Sequence, residues 1–201
     1  MKKVKTTALL LAISIASFAT NPEIKGGDHS FQVQPKQSKF EWLAKKVTGE
    51  HYGDVMIKSG VLDVKGGKIV GGNFEIDTRT INATDLEGEY KQKLDGHLKS
   101  ADFFDVEKHP TAKFVITKAE QTGSDAKITG NLTIKGITHE ITFPAKVEIK
   151  DHTLTATATF DVNRTKWDIK YGSGSFFDGL GDKMIYDDFN VKINLKAQAA
   201  H

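Results

Sequence analysis

From about residue 31 onward, most of the chain reads as short stretches in which apolar and polar side chains alternate, the period of a strand with one buried face. Phe40, Trp42 and Ala44 alternate with Glu41, Leu43 and Lys45; after a turn at Thr48-Gly49 the pattern resumes from His51 to Ile57 and continues through Val61 to Val64. Gly66-Gly67 is a hairpin signal, because two successive residues that tolerate positive φ suit the tight turns that match strand twist. Beyond it, Val70, Gly72, Phe74 and Ile76 are expected to share one face of the next strand. Further on, Ala112, Phe114 and Ile116 alternate with Lys113, Val115 and Thr117. Ile128, Gly130, Leu132 and Ile134 follow a turn at Gly123-Ser124-Asp125, and Ile137 to Ile149 follow one at Lys135-Gly136. After Asp151-His152 the alternation is clearest, with Leu154, Ala156, Ala158 and Phe160 set against four threonines, and Phe189, Val191, Ile193 and Leu195 close the series. Regular short strands with turn signals between them predict an all-β, antiparallel barrel or sandwich.

One stretch breaks the two-residue period. Leu86, Tyr90, Leu94 and Leu98 fall at four-residue intervals and predict a helix with one apolar stripe, with Thr84 and Glu87 spaced as a capping box. Ser100 is placed to cap a second short turn carrying Phe103 and Phe104. Pro110 then rules out further helix and Thr111 to Ala119 alternates again. The expectation is a short helical insertion between strands.

Residues 1–19 carry Lys2, Lys3 and Lys5, then an apolar run from Ala8 to Ala16, and end in Ser17-Phe18-Ala19. This is the pattern of a cleaved secretory signal, and the run is shorter than the roughly 20 residues a membrane span needs. Residues 20–30 read as a flexible leader and 31–201 as one domain. The signal's three lysines matter to the charge: without them 25 basic face 26 acidic residues, a net −1, so the electrostatic case for a nucleic-acid partner disappears. No cysteine is present, which excludes disulfides, thiolate metal sites, thiol catalysis and a lipid-attachment cysteine. A bacterial Sec-type signal without that cysteine predicts a soluble periplasmic product.

Candidate chemistry is sparse. Among the strand residues, Ala156, Ala158, Gly130 and Gly72 are small where neighbours are large, so either bulky partners fill the interior or an elongated cavity is left. His51, His97, His109 and His139 show no metal-ligand spacing, and His97, on the helix next to Leu98, is expected to pack with its second ring nitrogen satisfied by a polar neighbour. No nucleophile elbow, phosphate loop or hydrolase signature appears, and an enzyme is not expected. The loop from Tyr171 to Asp188 carries Phe176, Phe177, Leu180 and Met184, which suit a lid over a barrel mouth, a membrane-touching tip or a plug.

Three segments carry a resemblance to a known family. HLKSADFFDVEKHPTAKF (His97 to Phe114), GNLTIKGITHEITFP (Gly130 to Pro144) and FDVNRTKWDIKYG (Phe160 to Gly172) resemble, in order, the signature segments of the YceI-like family of lipocalin-like, polyisoprenoid-binding bacterial proteins. The resemblance implies a lipocalin-like barrel that holds a polyisoprenoid or isoprenoid quinone along its axis, sequestering or transporting it without chemistry or a further cofactor. With alternation as the guide, the expected apolar lining is Trp42, Val55, Ile57, Phe74, Ile76, Phe114, Ile116, Leu132, Ile141, Ala156, Ala158, Phe160 and Ile193. His51, Arg164, Trp167, Phe176 and Phe177 are candidates for the headgroup or lid; Arg164 has the alternative of a salt bridge to Asp77, Asp161 or Asp187. Expected partners are the lipid, a transient membrane contact and, as one oligomeric option, a second copy. Two other classes stay open: a filled barrel that binds a protein partner, and an enzyme acting on a lipid inside it.

Overall fold

The computed structural model describes residues 28–200; the segment read as a signal and most of the leader lie outside them. Nine strands and one helix follow in the order β1 (His29–Val33), β2 (Lys39–Lys46), β3 (Gly49–Lys65), β4 (Lys68–Ala83), α1 (Gly88–Lys99), β5 (Thr111–Thr122), β6 (Asp125–Ile134), β7 (Ile137–Lys150), β8 (Thr153–Asn163) and β9 (Ile185–Ala199). β1 begins inside the segment expected to be a leader, because Phe31 and Val33 are buried and pin it to β3 and β9.

Every pairing between the nine strands is antiparallel, and the sheet closes on itself where β3 meets β4. Both β1 and β2 pair with β3 on one side and β9 on the other, β1 opposite Val61 to Val64 and β2 opposite Gly49 to Asp54. They are therefore one interrupted stave, and the nine strands make a closed barrel of eight. Closure removes the exposed edges that a sandwich must protect.

The two ends differ. One carries the hairpin turns at 66–67, 123–124 and 151–152; Gly66 and Gly67 take φ of 56° and 76°, as the turn requires. The other carries α1, the 135–136 turn and the crossover from Arg164 to Met184. At the hairpin end Phe31, Leu154 and Ala197 are fully buried among Leu62, Val64 and Ile69. A second core at the opposite end gathers Trp42, Ile81, Leu98, Val162, Trp167 and Ile169.

Four local expectations are corrected. β4 bulges where its register with β3 shifts at Asp63/Val64, so Ile69 turns inward and Val70 is exposed rather than sharing a face with Phe74 and Ile76. Because β4 runs on to Ala83, the helix starts late: its N-cap is Glu87, without a side-chain cap, and Thr84 donates to Tyr52 O instead of forming a capping box. Tyr90 is 75% exposed, so the stripe reduces to Leu94 and Leu98. The Ser100 hydroxyl donates back to His97 O at 2.8 Å and does not cap the following turn.

Candidate functional site

Between the two cores the barrel is hollow. A cavity of about 210 Å³ runs through its waist, well over ten times the roughly 15 Å³ that one water needs. Phe40, Phe74, Leu132, Ile141, Phe160 and Ile193 pack against both cores yet remain partly accessible inside the barrel. Interiors are otherwise close-packed, so these residues mark where partner atoms are missing.

Every residue of the expected apolar lining borders the cavity. Trp42 comes from β2, Val55 and Ile57 from β3, Phe74 and Ile76 from β4, and Phe114 and Ile116 from β5. Leu132 comes from β6, Ile141 from β7, Ala156, Ala158 and Phe160 from β8, and Ile193 from β9. The small residues act in two ways. A Cβ on Gly130 would lie 2.5 Å from the Phe114 ring and one on Gly60 2.6 Å from the Phe74 ring, so these glycines let the rings lie against the wall instead of across the lumen. Ala145, Ala156 and Ala158 leave their side of the lumen without large side chains.

Sequence reasoning missed Phe40, Leu98, Phe103, Phe104, Ile185, Tyr186 and Phe189, which also line the cavity. Phe40 sits two residues before Trp42 and could have been found from the same alternation. Phe103 and Phe104 follow no period; only the fold of the 100–110 turn, closed by Asp105 N–H donating to Ser100 O at 2.8 Å, brings them over the barrel.

The cap is held by polar groups. Lys91 Nζ donates to Asn82 Oδ1 at 3.0 Å, Ala83 O at 2.5 Å and Asp95 Oδ2 at 2.8 Å, while Asp95 Oδ1 accepts from Ala83 N at 2.7 Å. Arg164, 4% exposed, spans the crossover: Nη1 donates to Ile169 O and Tyr171 O at 2.7 and 2.9 Å, Nη2 to Ile185 O at 3.0 Å and Nε to Tyr186 O at 3.1 Å. Its ion-pair partner is Asp187, at 3.6 Å; Asp77 pairs with Arg79, and Asp161 accepts from Asn190. Burial works against ionisation of Asp187, but the Ser173 and Ser175 hydroxyls and the Arg164 charge outweigh it and hold the carboxyl below its ordinary value.

The other headgroup or lid candidates are not brought together. Trp167 is 1% exposed, donates from Nε1 to Leu132 O at 3.1 Å and does not border the cavity. His51 Nδ1 lies 2.7 Å from Asp85 Oδ2 at the capped end, off the cavity wall. Phe176 and Phe177 are 50% and 51% exposed and do not line the cavity, so they do not plug the barrel; Lys170 Nζ sits 4.9 Å over the Phe176 ring. His97 packs edge-on to Phe103 and Tyr171, with Nε2 3.3 Å from Asp102 Oδ2. Among the described residues no group of three or more His, Asp or Glu side chains gathers to hold a metal.

Two solved structures share the fold: BcnA of Burkholderia cenocepacia, 21% identical with a TM-score of 0.64 over 83% of this chain and 99% of that one, and a polyisoprenoid binding domain from Saccharophagus degradans implicated in plant cell wall breakdown, 13% identical with a TM-score of 0.64 over 86% and 99%. In sequence the chain is 43% identical over 68 residues to a UPF0312 protein of Pseudomonas aeruginosa and 41% identical over 68 residues to the protein YceI of an Escherichia coli strain. Those stretches span 34% of this chain and 35% of each relative. The family profile of the YceI-like domain matches residues 31–197, and the chain belongs to that family.

Proposed function

We propose that the protein is a non-catalytic carrier that holds one long apolar lipid, a polyisoprenoid or isoprenoid quinone, in the lumen of its barrel and shields it from water in the periplasm. The observation that carries the reading is the cavity itself, hollow at the waist and walled by aliphatic and aromatic side chains from all eight staves. Each methylene-sized unit moved from water into such a lumen contributes roughly 0.8 kcal/mol, so several isoprene units offset the cost of ordering a flexible chain. Reaction chemistry has little to act with there. Among the described residues the cavity's polar side chains are Thr78, Thr157, Tyr186 and Arg164, and each nitrogen of the Arg164 guanidinium already donates to a main-chain carbonyl. The Saccharophagus degradans relative, a polyisoprenoid binding domain, points the same way.

Mass spectrometry of an organic extract of the purified protein tests the reading, with heat-denatured protein as the control. A stoichiometric long isoprenoid is expected in the native protein, and less in Ala156→Phe, whose ring would occupy the lumen. An extract free of lipid, together with failure of any apolar dye to bind, would favour a barrel that serves only as a protein-interaction surface.

A further inference from the structure

The seams between neighbouring strands are unequal. β8 pairs with β9 from Thr153 through Asn163, and β7 pairs with β6 from Ile137 through Lys146. Between β7 and β8 the ladder runs only from Lys150 opposite Thr153 to Ala145 opposite Ala158, and there it stops. Pro144, the next residue, has no N–H to offer a ladder. Nearer the cap β7 is tied instead to the crossover, where His139 Nε2 donates to Lys166 O at 2.9 Å and its ring meets Trp167 edge-on. Some five residues of β7 are left unladdered on this side, a slit roughly 15 Å long at strand rise.

What lies behind the slit distinguishes it from another parting. β4 and β5 also separate beyond Gly72 opposite Ile116, but there Ile69 N–H is taken by Gln121 Oε1 at 3.1 Å, and Leu62, Ile69 and Ile128 behind it are 2–4% exposed. Behind the β7–β8 slit stand two stacked rings, Phe143 and Phe160, with centroids 4.1 Å apart and planes at 10°, and then the cavity. Outside it lies a shallow groove, and Ala145, Ala158 and Ile193 border groove and cavity alike. The wall is thinnest where the ladder ends.

We infer that the parting between β7 and β8 is the port through which the apolar chain enters and leaves, tail first, with the Phe143–Phe160 pair as its gate; this rests on the carrier reading. Turning two rings about their side-chain torsions breaks no hydrogen bond. A route through a fully paired seam breaks ladder bonds, one through the β4–β5 parting breaks the Ile69–Gln121 bond and displaces the buried Leu62, Ile69 and Ile128, and a route past the cap must undo the Arg164 and Lys91 contacts. Among the described residues, Arg164 and Thr78 in the lumen already donate to main-chain carbonyls, and an unpaired polar group is costly to bury. The head therefore stays in the outer groove, where Thr159 and Asn194 supply hydroxyl and amide while Lys146 is paired with Asp125 at 2.9 Å and Lys192 lies 4.0 Å from Glu41, a setting for an alcohol head.

The test uses the absence of native cysteine. Thr142→Cys with Asp161→Cys places thiols on the two exposed lips of the slit, and a short bismaleimide joins them. Uptake of a dansyl-tagged farnesyl chain is followed by stopped-flow fluorescence. Bridging the lips is expected to slow uptake and release at least tenfold relative to the same protein unbridged. A bridge across the cap, His97→Cys with Tyr171→Cys, is expected to leave both rates within twofold. Unchanged rates with the lips bridged, or uptake blocked by the cap bridge, would overturn the port. Failure of the probe to bind the parent protein at equilibrium would instead bring down the carrier reading, and the port with it.

Discussion

The two ends of the barrel are closed by different physics. At the hairpin end Phe31, Leu154 and Ala197 have no exposed surface and pack among aliphatic neighbours, so closure there comes from non-directional apolar burial. At the capped end Trp167 and Ile169 of the crossover are buried as well, but the helix, with only Leu98 buried, is held by Lys91 and Asp95, and the crossover's main chain is gathered by Arg164. Apolar packing of that kind is insensitive to pH and fails only with global unfolding. Hydrogen bonds and ion pairs are directional, titratable and few, so the cap can loosen as a local unit while the staves stay paired. A barrel that must keep its lumen shaped and still be topped by a non-strand segment uses both solutions.

Truncation at the packed end should have the largest effect. Phe31→Ala removes a fully buried ring and should cost about 3–5 kcal/mol of global stability, read from denaturant unfolding with every probe reporting the same transition. At the capped end Arg164→Ala strands four carbonyls and the Asp187 charge, and should cost about 3 kcal/mol. Here the signature differs: hydrogen exchange should rise first across residues 164–187, before the hairpin-end strands respond. Uniform loss of protection would break the distinction between the ends.

Acid should act on the same contrast. For Asp85 burial works against ionisation, but the His51 ring and Tyr52 N–H outweigh it and hold the carboxyl below its ordinary value, as happens at Asp187. Carboxyls depressed by folding contribute stability that is fully present above the unfolded value near 4 and is lost as pH falls through the lower folded value. Below about pH 4 the cap should therefore lose exchange protection while β1, β3 and β9 at the hairpin end retain theirs. A cap as protected at pH 3 as at pH 7 would remove these carboxylates from the account. Smaller still, Asp95→Ala should cost about 1–2 kcal/mol, because Ala83 N–H loses its acceptor and Lys91 one of its three, and it should be visible mainly in exchange of α1. Tyr90→Ala should stay within about 0.5 kcal/mol, since the side chain stands in solvent.

The helix shows why some of this was legible beforehand and some was not. The four-residue spacing of Leu86, Tyr90, Leu94 and Leu98 predicted a helix, and one formed, but the same spacing suggested an apolar stripe where the structure uses Lys91 and Asp95 as the fastening. Period reports which residues share a face and does not report what that face meets. β4 fails in a related way: alternation placed Val70 with Phe74, and one bulge, invisible in the sequence, reversed it. Arg164 reads equally well as a ligand grip or a structural tie, and only the convergence of Ile169, Tyr171, Ile185 and Tyr186 carbonyls on it decides for the tie.

By itself, then, the order of residues determined the antiparallel strands, their turns, the helical insertion and the inward residues of most staves, because all of these follow from periods of two and four and from local turn chemistry. Closure into eight staves with β1 and β2 sharing one place, the hollow waist, the polar fastening of the cap and the parting of β7 from β8 were decided only in three dimensions. Each depends on which distant segments meet and on how much space their side chains leave between them, and no local pattern encodes that.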